Sequence, residues 1–450
     1  MANSYVTRTP SSTGNNQKFT ISLWLKRSGL SSQQIFTNAY YAQSDNGFLS
    51  ARFTSDDKFE LTGWSTTWRT TNRVFRDISA WYHIVIAIDT TLATAGDRIK
   101  IYVNGSQETS FGTSNDPSQN HNFPFNTASF IQDVGCNHHG SGRTNFFDGY
   151  ITHYAQVDGS QLTPTSFGET DSTSGIWKFK SPSGITWGTN GVHLKFENSA
   201  AMGTDSSGNS NTYTVGGNLK QALDTPSNVH ATLNELARLN NYGQRYVEHI
   251  NGNNTCQGTS TSNNGNSYST LGVNSGKWYC EVKVNGVYNS IYPTIGYITE
   301  INTNDSSHSQ IGYSSSNTGG YKPDGQKLIN GSGSSYGDSF TAGDIIGVAL
   351  DLDNGAIYFS KNGTFQDSGN PASGASKTGA AFTFTPDGSY YFFGASPYRS
   401  DSSLSFNFGN GTFGTTDIAS AGSNGNGSLF EYDVPNGYYA LNTKNINTYG

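Results

Sequence analysis

The sequence is poor in charge, in sulfur and in long apolar runs. Charged residues make up 13% of the 450, and the net charge is −7. No Lys/Arg run occurs. Nucleic acid is therefore excluded as the main partner, because phosphate binding needs clustered cations. No stretch approaches the roughly 18 apolar residues of a membrane-crossing helix, so no membrane insertion is expected. The three cysteines, Cys136, Cys256 and Cys280, are an odd number at wide spacing. They form neither a disulfide framework nor a zinc knuckle, and buried free thiols are expected. The opening MANSYVTRTP lacks the basic-then-apolar pattern of a secretory signal. Synthesis in the cytoplasm without a signal peptide is the expectation.

What fills the chain instead is Gly (53 residues), Tyr and Phe (26 each), and many Ser, Thr and Asn, with hydrophobic residues at only 33%. Low hydrophobicity alone would indicate disorder, but disordered chains lack aromatics, and here these reach 13%. Aromatics, glycine and hydroxyl residues together suit β-sandwiches with many turns. The length calls for at least two domains.

Strand patterning recurs along the chain. In QKFTISLWLKRS (17–28), Phe19, Ile21, Leu23 and Leu25 share one face, and Trp24 and Lys26 point the other way. Further strands are expected at 35–41, 47–53, 59–64, 73–75, 80–89, 98–104, 130–134 and 148–157. Thr163 and Pro164 open a short helical turn. Residues 165–190 read as an excursion covering one sheet. Leu233, Leu236, Ala237 and Leu239 recur at helical spacing, so 218–250 reads as a partly helical connector capped by Ser227 or Thr232. Strands resume at 276–284, 295–298, 310–313, 344–352, 356–360, 388–395 and 404–408. In GVALDLDNGAIYFSKNG (347–363), Asp353-Asn354-Gly355 and Lys361-Asn362-Gly363 make two hairpin turns. The fold class is all-β: two antiparallel sandwiches, 1–217 and 251–450, joined by the connector.

The motifs FTISLWLKRSG (19–29), WYHIVIAID (81–89), IKIYVNG (99–105) and FFDGYITHYAQVDGSQLTP (146–164) resemble the laminin-G-like, concanavalin A-like sandwich family. VHLKF (192–196) and DSSGNSN (205–211) also resemble that family, displaced in order. They are expected to pair back and close the first sandwich. SGKWYCEVKV (275–284), the two IGY triplets, GDIIGVALDLDNGAIYFSKNG (343–363), YYFFGAS (390–396) and LSFNFG (404–409) resemble the SPRY family. LDTPSNVHATLN (223–234) and VPNGYYALNTKNI (434–446) resemble phrases that flank SPRY domains in virion proteins of tailed phages, of the marine and cyanobacterial type.

Candidate sites are few. Asp205, Ser207, Asn209 and Asn211 alternate so that several oxygens could converge on calcium. The competing reading is an Asx-turn loop held by its own bonds. No cofactor is required. His138-His139 beside Cys136 lacks a third ligand at matching spacing, so a surface loop is favoured over zinc. Glycanases need two facing carboxyls. Glu281 has no companion nearby in sequence, and Asp351 and Asp353 read as turn formers. No GxSxG occurs, and no enzymatic activity is expected. Flat rings stack on sugar faces, which singles out Trp64, Trp68, Trp177 and Trp187 as ligand-binding candidates, against packing over sheet edges. The SPRY resemblance implies binding through loops at one end, here Tyr288, Tyr292, Tyr321 and Tyr398.

The resulting expectation is a non-enzymatic structural protein on a phage virion surface. It would be a tail-fibre or head-fibre (decoration) component, adhering to a host glycan or protein receptor. Its other partners would be virion proteins and copies of itself, a trimer being the expected fibre state. The alternatives are a capsid cement protein and a glycan-degrading tailspike.

Overall fold

The computed structural model describes residues 3–140, 142–237, 246–289, 292–300, 310–313 and 318–450. The chain forms two compact units, Met1–Gln221 and Ala222–Gly450. Both are all-β.

The first unit is a sandwich. One sheet has eight strands in the order Phe111–Ser114, Thr67–Val74, Lys58–Thr62, Phe48–Phe53, Gln34–Tyr40, Ile131–Val134, Tyr5–Arg8 and Thr214–Gly216. The other has six: Val192–Leu194, Gly149–Asp158, Lys18–Arg27, Tyr82–Asp89, Ile99–Val103 and Ser106–Gln107. Lys18–Arg27 shows why the register is unique. Phe19, Ile21, Leu23 and Leu25 all enter the core shared with Phe36, Phe53 and Phe59. Each such burial is worth about 1.5–3 kcal/mol, and a one-residue slip would turn all four outward. Val192–Leu194 pairs antiparallel with Gln156–Tyr154 and forms the edge of the smaller sheet.

The outer face of that sheet is also covered. Phe167, Leu162, Ile185 and Trp187 pack on Val85, Ala155 and Val157. The residues between strand and edge strand thus form a lid, including the hairpin of Gly168–Thr170 and Trp177–Phe179. Pro164 starts a single 3₁₀ turn, but the Thr163 side chain makes no capping bond.

The second unit pairs a nine-stranded sheet with a six-stranded one. The larger is centred on Lys277–Gly286, flanked by Ile345–Asp351 and Ser403–Asn407. The smaller is centred on Thr294–Thr299, flanked by Tyr391–Ser396 and Thr318–Tyr321. Trp278, Cys280, Val282 and Val284 face one core with Val348, Leu350, Ile357 and Phe406. The hairpin joining Ile345–Asp351 to Ala356–Lys361 is held by Asp351. Its carboxylate accepts from the Asn354 backbone (3.0 Å) and side-chain amide (2.9 Å), and pairs with Lys277 Nζ at 3.0 Å.

Two elements differ from expectation. The helix foreseen around 233–239 is absent over its described part. Ala231 and Leu233 lie in the second unit's core, and only Glu235–Ala237 coils, as a 3₁₀ turn. Leu239 lies outside the described residues. The physical reason is tertiary pairing: Ala231 N–H donates to the Leu441 carbonyl at 2.9 Å, which holds this segment extended. The strand expected at 310–313 is a turn, closed by Tyr313 N–H to Gln310 O at 3.0 Å. The strand pairing there is Thr318–Tyr321.

Candidate functional site

The four candidate tryptophans separate by burial. Trp68 is only 5% exposed and packs in the core against Phe123, with ring centroids 5.5 Å apart. Trp177 is half-buried under the lid, and its indole N–H donates to His83 Nδ1 at 2.9 Å. Trp187 is half-buried and stacks on His193 at 5.7 Å. Trp68 serves packing, which corrects its reading as a loop-borne ligand contact, while Trp177 and Trp187 are partly covered through their histidine partners. Trp64 alone stands out from the surface, 41% exposed. It sits on a turn closed by Gly63 N–H to Thr66 O at 2.7 Å.

The tyrosines behave differently. Tyr321 is fully buried in a strand, with its hydroxyl bonded to the Asp338 carbonyl, so it cannot meet a ligand. The fold brings the other three together. Tyr292 stacks on Tyr398 at 4.4 Å and 19°, and Tyr288 lies 5.1 Å from Tyr398. Tyr288 N–H donates to Tyr292 O at 3.0 Å, which pins the two loop residues. Arg399 completes the group. Its guanidinium lies 4.4 Å from the Tyr288 ring centroid, and Nη1 donates to the Tyr288 hydroxyl at 3.1 Å. Arg399 adopts φ of 60°, a left-handed conformation that costs a non-glycine residue about 1–3 kcal/mol. Sequence reasoning missed Arg399. The available signal was a cation next to Tyr398 in a Pro-Tyr-Arg-Ser turn. The three rings are half-buried, and they form a tyrosine patch with one cation.

The 205–211 loop does not fit calcium. Asp205 Oδ1 accepts from the backbones of His193 (2.9 Å) and Ser207 (2.8 Å). Its Oδ2 accepts from the Ser207 hydroxyl and the Asn211 backbone, both at 2.8 Å. Asn211 Oδ1 already takes Arg8 Nη2 at 2.6 Å. Asn209 and Asn211 turn their amides to the Gly191 carbonyl. The oxygens close the loop on its own backbone, with an arginine where a metal would compete.

No accessible catalytic set occurs among the described residues. Ser267 Oγ lies 2.7 Å from His249 Nε2, and His249 Nδ1 lies 3.2 Å from Glu235 Oε2. That is the spacing of a serine–histidine–carboxylate relay. Yet Ser267 is 1% exposed, so no substrate carbonyl reaches it. At Ser22–His83 the tautomer is wrong. His83 Nδ1 accepts from Trp177, so Nε2 carries the proton and donates to Ser22 Oγ at 2.8 Å. Burial pushes His83 down to about 3, keeping it neutral. Glu281 is buried and raised to about 7 by desolvation, and it accepts the backbones of Glu431 and Tyr432, both at 2.8 Å. It anchors the C-terminal tail. His138 bonds to Asp133 at 3.1 Å, and burial pushes the Cys136 thiol far up. Among the described residues, no three His, Cys, Asp or Glu side chains converge as a metal site.

Two antiparallel β-sandwiches in tandem define the fold class of this chain. Within that class the chain is a concanavalin A-like, laminin-G-like domain followed by a SPRY domain. Residues 1–166 match the concanavalin A-like lectin/glucanases superfamily, and residues 277–411 match the SPRY domain. Among curated proteins, it is 36% identical over 95 residues to the ATP-dependent RNA helicase DDX1 of Xenopus laevis. That match covers 21% of this chain and only 12% of the helicase. Among solved structures, it is similar to the SPRY domain of human HERC1 (18% identity, 39% of this chain and 95% of that one, TM-score 0.30). It is also similar to stonustoxin (17%, 39% and 27%, 0.29) and to the SAP-like pentraxin of Limulus polyphemus (16%, 36% and 71%, 0.28).

Proposed function

We propose that this chain is a non-enzymatic structural protein of a tailed-phage virion surface, a tail-fibre or head-fibre (decoration) component that adheres to the host. The observation that carries the adhesive part is the patch of Tyr288, Tyr292, Tyr398 and Arg399. It offers aromatic faces and one cation, as protein- and glycan-binding surfaces do. Support for the virion comes from LDTPSNVHATLN and VPNGYYALNTKNI, which resemble segments flanking SPRY domains in such proteins. These two segments lie side by side here and bond to each other.

The test compares the whole chain with a Tyr292→Ala/Tyr398→Ala variant in pull-downs on intact cyanobacterial host cells and on emptied capsids. Adhesion predicts cell binding that the double variant loses. Binding to capsids alone, unchanged in the variant, would replace this reading with the cement protein. Release of reducing ends from host polysaccharide would replace it with a glycanase.

A further inference from the structure

Three histidines stand on the outer face of the first unit's smaller sheet, and a ring of the covering segment stacks on each. His83 lies between Trp24 of the neighbouring strand (4.7 Å, 12°) and Trp177 (5.9 Å, 16°). His153 carries Phe179 at 3.6 Å and 12°. His193, on the edge strand, carries Trp187 at 5.7 Å and 14°. Trp177 and Phe179 belong to the hairpin of Gly168–Thr170 and Trp177–Phe179, whose strands pair only with each other. Among the described residues, one hydrogen bond runs from this hairpin to the sheet, the Trp177 indole N–H to His83 Nδ1. Trp177 also packs on the turn at Gly105, where a Cβ would stand 2.5 Å from its ring. The hairpin is thus joined to the sheet through two imidazoles and not through a strand ladder.

Those imidazoles hold the hairpin only when neutral. His83 Nε2 donates to Ser22 Oγ, so Nδ1 supplies the lone pair that Trp177 uses. A proton on Nδ1 would set two N–H donors against each other. His153 Nδ1 and His193 Nε2 are buried without a hydrogen-bond partner, so a proton added there finds no acceptor. Stacked rings attract a cation, but burial outweighs them. It pushes His83 down to about 3, and His153 and His193 down to about 4.

Charged neighbours do not reverse this. His83 faces Ser22, Trp24 and Trp177, none of them charged. His153 faces His193 and Lys195, and both resist a positive charge beside them. His193 feels Lys195 as well, against Asp205 and Glu197, which favour protonation. Asp205 is committed to the backbones of its own loop, and Glu197 to Lys195 at 3.4 Å. On the hairpin, Lys178 pairs with Asp171 at 3.0 Å and Glu169 at 3.5 Å, and Lys180 just beyond donates to the Thr165 carbonyl. Among the described residues, no carboxylate of the covering segment bonds to any of the three imidazoles.

We propose that the 168–179 hairpin is an acid-released lid, held on the sheet by neutral His83 and His153 and freed when they take up protons, which uncovers that part of the outer face. A lone two-stranded hairpin is marginal in water, so release also loosens its own ladder while the sheet beneath stays folded. The device lies wholly in the first unit and is independent of the tyrosine patch. The experiment is hydrogen exchange with mass spectrometry on the whole chain at about pH 7.5 and about pH 4.5, each rate corrected for intrinsic exchange at that pH. Protection over 168–179 should fall at least about tenfold in acid, while Lys18–Arg27 and Tyr82–Asp89 keep theirs. His83→Gln and His153→Asn remove one titrating ring each and should shrink that fall at least about threefold. Asn suits position 153, where φ is 49°. Thermal unfolding at neutral pH checks that both variants fold. Three results would overturn the proposal: unchanged lid protection in the parent, equal loss in lid and sheet, or a fall of full size in both variants. The parent alone decides the first two, whatever the stability of the variants.

Discussion

Val229 and Thr443, 214 residues apart, exchange two hydrogen bonds. Thr443 N–H donates to the Val229 carbonyl at 2.9 Å, and Val229 N–H donates to Thr443 Oγ1 at 3.0 Å. Beside them, Asn442 Nδ2 reaches His230 Nε2 at 3.3 Å. This clasp closes the second unit, because Ala231, Leu233 and Leu441 carry it into the core.

The clasp predicts local consequences. Leu441→Ala removes a fully buried side chain and should cost about 2–5 kcal/mol. Hydrogen exchange should show the loss in the second unit and leave the first unit's protection unchanged. Equal loss in both units would mean that the tail does not belong to the second core.

The first unit has its own anchor in Arg27 and Asp57, a buried pair at 3.0 Å. Asp57 also accepts Arg76 Nε at 2.9 Å and the Ser31 backbone at 2.8 Å. Burial lowers the Arg27 pKa, and the Asp57 charge and hydrogen bond offset this only in part. Asp57→Ala strands a buried guanidinium and should cost about 3–5 kcal/mol, read as a lower denaturant midpoint for the first unit.

The two units should answer acid with opposite signs. Burial holds His83 down to about 3, and His153 and His193 to about 4. Unfolded histidine titrates near 6.5. Their contribution is complete above pH 6.5 and is lost as pH falls toward 4, by roughly 2 kcal/mol per histidine at about pH 5. Glu281 is raised from 4.5 to about 7, by burial first and by the nearby Glu431. Its contribution is complete below pH 4.5 and is lost as pH rises through 7, by roughly 3 kcal/mol. Acidification from neutrality should therefore weaken the first unit. In the second, Glu281→Gln should remove the part of the pH dependence that the carboxyl supplies. Parallel pH profiles for parent and variant would refute the Glu281 assignment.

Calcium should do nothing to stability. A site of about 10⁻⁴ M affinity would add about 1.4 kcal/mol at about 1 mM calcium. Because Asp205 and Asn211 are already bonded to donors, melting curves with calcium and with chelator should coincide. An upward shift that Asp205→Ala abolishes would overturn this.

The sheets were legible in the sequence wherever a two-residue period ran long enough. Lys18–Arg27, Tyr82–Asp89 and Lys277–Gly286 follow the alternation of their apolar residues. Asp351 also read correctly as a turn former, because an Asx turn is local: its carboxylate holds the Asn354 backbone at 3.0 Å, whereas Asp353, in the same turn, reaches out to accept the distant Gly276 backbone at 2.9 Å. Helical spacing at 233–239 misled, since periodicity cannot register a partner strand two hundred residues away. The tryptophans misled for a related reason. Polar neighbours in sequence say nothing about what folds over a ring, and Trp177 and Trp187 lie on the lid of the smaller sheet.

By itself, then, the sequence determined strand periodicity, turn chemistry and the order of two sandwich types. These follow from backbone sterics and from the gain of turning one face inward. Only the tertiary structure decided which aromatics stay in solvent, that Tyr288, Tyr292, Tyr398 and Arg399 share one patch, and that His139 meets Trp64 while His138 stacks on Tyr40. Exposure and adjacency of distant residues depend on strand pairing and on covering loops, and no local pattern encodes these.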